Sequence, residues 1–231
     1  LEAYGDTQDE SGKKTWESVS GALIFYCDNH PFASDHLQPF VIDGKATLEF
    51  SAAIPLPLNH PQTGEPLLLT GRFDMLARHQ HMDAKRAFCV DEKTTGRIDP
   101  GWATKWPLRG QFLCYNWLAG EQGYDIAGTI VRGIAIYKNS YTLVEVPIQS
   151  QPWKIKEWHD GMLGTVAAMI RVWGEVHEAK SRSFVKALND ACTMYNGCSY
   201  IRLCDSQKPE LWMEPYFERR EWNPIHVETI A

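Results

Sequence analysis

Two short runs carry the residues most suited to chemistry, "LLLTGRFDMLA" (67–77) and "FCVDEKTTGR" (88–97). Each begins apolar and ends in charge. Alternate residues of a strand share a face, so Asp91 and Lys93 lie together with Cys89 behind them, while Phe88, Val90 and Glu92 face the other way. If the two runs are neighbouring strands, Asp74 and Asp91 face each other. Two facing carboxylates repel unless a cation lies between them, and two carboxylates with a backbone carbonyl form an all-oxygen site suited to Mg²⁺ or Mn²⁺. A lysine beside such a site can orient a metal-bound water or stabilise charge growing on a phosphate. The spacing is thus a minimal set for hydrolysing a phosphodiester. Taken alone, a "DEK" triplet is more often a salt bridge at a strand end, and that reading stays open.

The surrounding pattern supplies elements to position these groups. Residues 13–30 have apolar side chains at three- and four-residue spacing and predict a helix. Strands are expected at 46–56, 67–77 and 87–95, the first ended by Pro55 and the "NHPQTGEP" turn cluster. Pro107 suits the first position of a helix reaching Gly120. Strands at 126–137 and 141–148 and a helix over 152–179 follow, the last with a stripe of Trp158, Met162, Val166, Met169 and Trp173 read as core packing. This order predicts an α/β fold with a mixed central sheet flanked by helices. The expected organisation is a core over residues 1–180 and a cysteine-containing segment over 181–231.

Gln111 and Tyr115 fall four apart on the helix after Lys93, hence on one face. With them, the run "LTGRFDMLAR…FCVDEKTTGR…QFLCYNWLAG" resembles the PD-(D/E)xK nucleases, in particular the RecB-type exonuclease branch and its phage-encoded members. The resemblance covers roughly residues 46–120 and, more loosely, 190–204. It implies a restriction-endonuclease-like core and a metal-dependent deoxyribonuclease, most simply an exonuclease on single-stranded or end-containing DNA. Asp74 and Asp91 would be metal ligands with the Glu92 backbone carbonyl, Lys93 the catalytic lysine, and Gln111 and Tyr115 the helix motif beside the site. The alternative from another class is a nuclease-fold DNA-binding or assembly module without catalysis. Homo-oligomers and helicase or recombination partners are found among such relatives, and a cytoplasmic location, that of the host for a phage protein, is implied.

The tail "ACTMYNGCSYIRLC" holds Cys192, Cys198 and Cys204 at equal gaps, a metal-site signal that lacks a fourth ligand. RecB-type nucleases with a 4Fe–4S cluster are similar in joining three such cysteines to one far upstream, for which Cys27 is the candidate. Zn²⁺ on the same thiols with a histidine such as His226 is the other assignment, and thiols without metal a third. Cys89 and Cys114 read as small core residues. Relatives commonly carry a further metal ligand just before a stretch like "LEAY", so a longer native chain is expected upstream of Leu1. Glu49 is the candidate carboxylate to compensate within this chain.

Composition sets the outer bounds. The 231 residues are 44% hydrophobic and 12% aromatic, ample for a core, with net charge −6. Between Lys93 and Gly120 the balance reverses: Lys93, Arg97, Lys105 and Arg109 outweigh Asp99 beside Trp102 and Trp106. Cations interleaved with aromatics suit a single-stranded nucleic acid, with Arg97, Lys105 and Arg109 on phosphates and Trp106 under a base. A solvated loop with half-buried tryptophans fits the same residues. The most apolar run, "IAGTIVRGIAIY", is cut by Arg132 and is too short for a membrane span. The polar, acidic start is unlike a secretory signal, and the cysteines suit a reducing compartment.

Overall fold

The structure, a computed structural model, describes residues 15–42, 44–82, 86–149, 151–178, 186, 189–193 and 197–218. Helix α1 (Trp16–Asn29) is followed by short strands β1 (Leu37–Pro39), β2 (Val41–Ile42) and β3 (Lys45–Ala46), then by long strands β4 (Leu48–Asn59), β5 (Pro66–His79) and β6 (Ala87–Thr95). Helix α2 (Gly110–Glu121), strands β7 (Ile126–Ile136) and β8 (Tyr141–Gln149) and helix α3 (Pro152–Glu178) come next, and short helices α4 (Ile201–Cys204) and α5 (Glu210–Tyr216) lie beyond them. The chain divides into two compact units, Leu1–Leu56 with Leu67–Leu163, and Pro57–Pro66 with Gly164–Ala231. The division falls inside α3, earlier than the boundary near residue 180 expected from sequence.

The main sheet runs β1-β5-β6-β7-β8, with β4 also paired to β5. Strands β6 and β7 are parallel, while β1 with β5, β5 with β6, and β7 with β8 are antiparallel. A parallel pair needs a crossover, and α2 supplies it. The fold is therefore the expected α/β class, a mixed sheet flanked by helices. Strand β6 is covered on both faces, which is why "AFCV" reads as a continuous apolar run. Cys89 packs with Leu76, Leu118 and Ala119 on the α2 side, while Phe88 and Val90 pack with Leu37, Ala77 and Ile130 on the opposite face.

Two local expectations are corrected. Helix α2 begins at Gly110, because the chain from Gly101 to Leu108 is taken up in turns that bury Trp102 and Trp106 against Phe112 and Val131. The Trp102 ring lies on Gly133, where a Cβ would collide with it, so that glycine is what admits the indole to the sheet. The α3 stripe is not a core seam: Trp158, Met162 and Val166 are half-buried, but Met169 and Trp173 are exposed.

At the centre of β7 sits Arg132, only 2% exposed. Its guanidinium donates to both Asp35 carboxylate oxygens (2.6 and 2.5 Å), to Glu145 Oε2 (3.0 Å) and to the Tyr26 hydroxyl (3.3 Å). Burial alone would raise the Asp35 carboxyl; the Arg132 hydrogen bonds and the Leu37 N–H outweigh it and hold the group below the usual carboxylate range. A carboxyl lowered in the folded state contributes stability present above its unfolded pKa and lost as pH falls through its folded one. Arg132→Met leaves Asp35 and Glu145 without their cation. It is expected to cost about 3–5 kcal/mol in urea denaturation at neutral pH, with the deficit shrinking as acid protonates Asp35.

Candidate functional site

The antiparallel ladder between β5 and β6 pairs Met75 with Val90. Asp74, next along β5, lies close enough to Asp91 for its charge to raise that carboxyl. Asp74 Oδ2 accepts the Glu92 backbone N–H at 2.8 Å, which fixes the first carboxylate against the strand carrying the second. Asp91 is fully buried. Its Oδ1 accepts from Gln111 Nε2 at 2.8 Å, and the same amide donates to the Tyr115 hydroxyl at 3.1 Å, so the i, i+4 pair on α2 acts as one unit.

Lys93 Nζ lies 2.5 Å from Asp91 Oδ2. With Gln111 on Oδ1, this contact engages both oxygens of a carboxylate that is sealed from solvent. Burial raises the Asp91 carboxyl above its ordinary value; Lys93 and Arg109 draw it back down and Asp74 pushes it up. A buried carboxylate beside a second acid, with Lys93 as its close counter-ion, is a costly arrangement for stability alone. A cation binding there would offset that cost, and the oxygen-only donors fit a hard divalent ion.

The remaining sequence candidates are placed as follows. Glu92 points to the opposite face, as alternation requires, and accepts from the Tyr26 hydroxyl at 2.5 Å. Burial pushes its carboxyl up to about 7, although the residue keeps an exposed flank through which water screens the charge. Thr95 serves the turn after β6, donating to the Arg97 carbonyl at 2.9 Å. Glu49 is engaged by Arg72 at 2.6 Å on the surface, away from the role of compensating carboxylate. Arg97, Lys105 and Arg109 are exposed. Trp106 is a correction: at 4% exposure its ring cannot stack on a base, and Lys105 Nζ covers it at 4.5 Å from the ring centre. An apolar groove of about 370 Å³ lies under α1 on the Glu92 face of the sheet, opposite Asp91, walled by Val19, Leu23, Tyr26, Glu92, Ile134 and Ile136.

Cys89 is a fully buried core residue, and burial pushes the Cys114 thiol up to about 11, so both are inert packing groups. Cys198 donates its backbone N–H to the Cys192 carbonyl at 2.8 Å, and Cys204 closes α4. Among the described residues these thiols do not approach to the spacing of a single bound ion; a cubane cluster holds its thiolates farther apart than one ion does. Cys27 is exposed on α1, in the other unit, and His226 lies outside the described residues.

Sequence reasoning passed over the polar face opposite Asp91, where Tyr26, Asp35, His36, His79, Arg132 and Glu145 gather. Its signal was Arg132, a charge in the middle of the most apolar run.

No protein-family model matches this chain, and no curated protein does. Among solved structures it is similar to one titled "Crystal structure of SSO0001", at 14% identity and a TM-score of 0.35, over 65% of this chain and 61% of that one. The match thus spans about three fifths of that structure's chain, and a likeness of this size carries no functional argument.

The raised Asp91 carboxyl gives a signed expectation. Its ionised form costs stability, so the folded protein loses stability as pH rises from the unfolded pKa through the folded one. In metal-free buffer, Asp91→Asn should therefore gain on the wild type as pH rises through the carboxylate range. Added Mg²⁺ should then stabilise the wild type and leave the variant unmoved, as read from thermal unfolding.

Proposed function

We propose that this protein hydrolyses DNA phosphodiester bonds in a metal-dependent reaction, as a RecB-type member of the PD-(D/E)xK nucleases. The observation that carries the reading is the sealed Asp91 carboxylate. It is buried beside Asp74, with Gln111 on one oxygen and Lys93 on the other.

Asp74, Asp91 and the Glu92 carbonyl would hold Mg²⁺ or Mn²⁺, which supplies an acidified water and positive charge beside the phosphate. The chain's own groups do the positioning. Gln111 fixes the rotation of the Asp91 carboxylate, and the Glu92 N–H fixes that of Asp74. Lys93 keeps an ammonium at the mouth of the site, where it can orient the attacking water and offset charge on the non-bridging phosphate oxygens. Water oxygen bonds to phosphorus, the bond from phosphorus to the departing sugar oxygen breaks, and that oxygen takes up a proton.

Exposed Arg97, Lys105 and Arg109 suit the phosphates of the approaching strand. Action on single-stranded or end-containing DNA, as an exonuclease, is the form of this reading that the resemblance to the RecB-type branch favours. Cys192, Cys198 and Cys204 are the proposed thiolate ligands of a 4Fe–4S cluster. An anaerobic preparation should then show a broad visible absorption that Cys198→Ser removes; a colourless preparation containing zinc would favour the single-ion assignment.

The deciding measurement is digestion of end-labelled single- and double-stranded DNA with Mg²⁺ or Mn²⁺, wild type beside Lys93→Ala. Wild type is expected to shorten labelled strands from an end. Lys93→Ala should lose about 10²–10³-fold in rate while still binding DNA. Binding by both proteins with cleavage by neither would replace the enzyme with a DNA-binding module.

A further inference from the structure

A second cluster lies on the opposite face of the sheet from Asp91. His36, His79 and Glu145 each place one ligand atom within 4.8 Å of the others. His36 comes from the segment before β1, His79 from the end of β5 and Glu145 from β8. His36 Nε2 is 2.8 and 3.0 Å from the two Glu145 oxygens, and the His36 and His79 rings are 4.7 Å apart at their centres. Bonds of about 2.0–2.2 Å in a tetrahedral shell put ligand atoms roughly 3.3–3.6 Å from one another. The observed separations bracket that range, so side-chain adjustments of about an ångström would complete the shell.

From these positions we infer that His36, His79 and Glu145 form a binding site for a first-row transition-metal ion, of which Zn²⁺ fits best. Two imidazoles and one carboxylate are a zinc donor set, whereas Mg²⁺ and Ca²⁺ prefer oxygen alone.

The groups around the triad support the assignment. A ligating histidine commonly presents its second nitrogen to a carboxylate. His36 Nδ1 lies 3.5 Å from Asp35 Oδ1, and Asp35 is itself clamped by Arg132. Asp35 and Glu145 together outweigh the single charge of Arg132, so the surroundings favour an added cation. His81 is exposed, its ring 6.4 Å from that of His36 and 6.1 Å from that of His79, within reach of a fourth position by rotation.

There is also a cost. His79 Nδ1 accepts the backbone N–H groups of His81 (3.1 Å) and Met82 (3.2 Å). Ion uptake must turn the ring or release these contacts, both at the long end of the hydrogen-bond range. Loading should therefore move the segment that carries His81.

The test is titration of the metal-free full chain with Co²⁺, followed by Zn²⁺ competition. Expected in Cys198→Ser are visible d–d bands that saturate with Co²⁺ and lack the near-ultraviolet sulfur-to-cobalt charge transfer that cysteine ligation produces. His36→Gln, at a half-buried position that should leave the fold intact, is expected to weaken binding at least ~100-fold, and His81→Ala to change the band shape. Asp91→Asn should bind as the wild type does, which separates this site from the proposed nuclease centre. Absence of visible bands in Cys198→Ser, or bands there unaltered by adding His36→Gln, would overturn the assignment.

Discussion

A guanidinium buried inside a sheet must be matched on every side, and Arg132 imposes that condition on four separate segments. Its partners come from α1, from the loop before β1 and from β8, while its backbone belongs to β7. Each of those segments must arrive in register for the charge to be compensated. Breaking such an arrangement is costly even where an apolar substitute for the whole set would be tolerated. The arrangement also fixes Tyr26, and through it Glu92, on the strand whose other face carries Asp91 and Lys93. The polar network on one side of β6 thus helps to set the alignment of the candidate site on the other.

That candidate site is built against local stability. An acid closed off from water beside a second acid has no advantage for folding that an apolar residue would not exceed. Gln111 and Lys93 reduce the cost without removing it. Residual frustration of this kind is characteristic of places prepared for a ligand. The contrast with Arg132 is informative: there every donor named has an acceptor, and the arrangement closes on itself.

The long elements were legible because their signals are local. Alternation located β5 through β8, and the pairing of β5 with β6 followed from their adjacency. Asp74, Asp91, Lys93, Gln111 and Tyr115 could be grouped because strand and helix periodicities fix which residues share a face. Strands of two or three residues such as β2 and β3 have no period to read, and the start of α2 shifted because buried tryptophans claimed the turns before it. Trp106 was misjudged for a related reason: its basic neighbours imply solvent, but Gly133 opens a gap in the sheet that draws the indoles inward. The histidine cluster was invisible because His36, His79 and Glu145 are separated by long stretches of chain, and only the finished sheet brings them together.

Strand β6 assigns adjacent residues to different duties, with Asp91 and Lys93 on one side and Glu92 between them on the other. Its tolerance is therefore uneven. Exchanging a side chain there alters one surface, but inserting or deleting a single residue upstream within the strand would turn both surfaces over together. Asp91 and Lys93 would then point toward Arg132 and Tyr26, and Glu92 toward α2. Over an evolutionary lineage, this segment should accept changes of residue far more readily than changes of length.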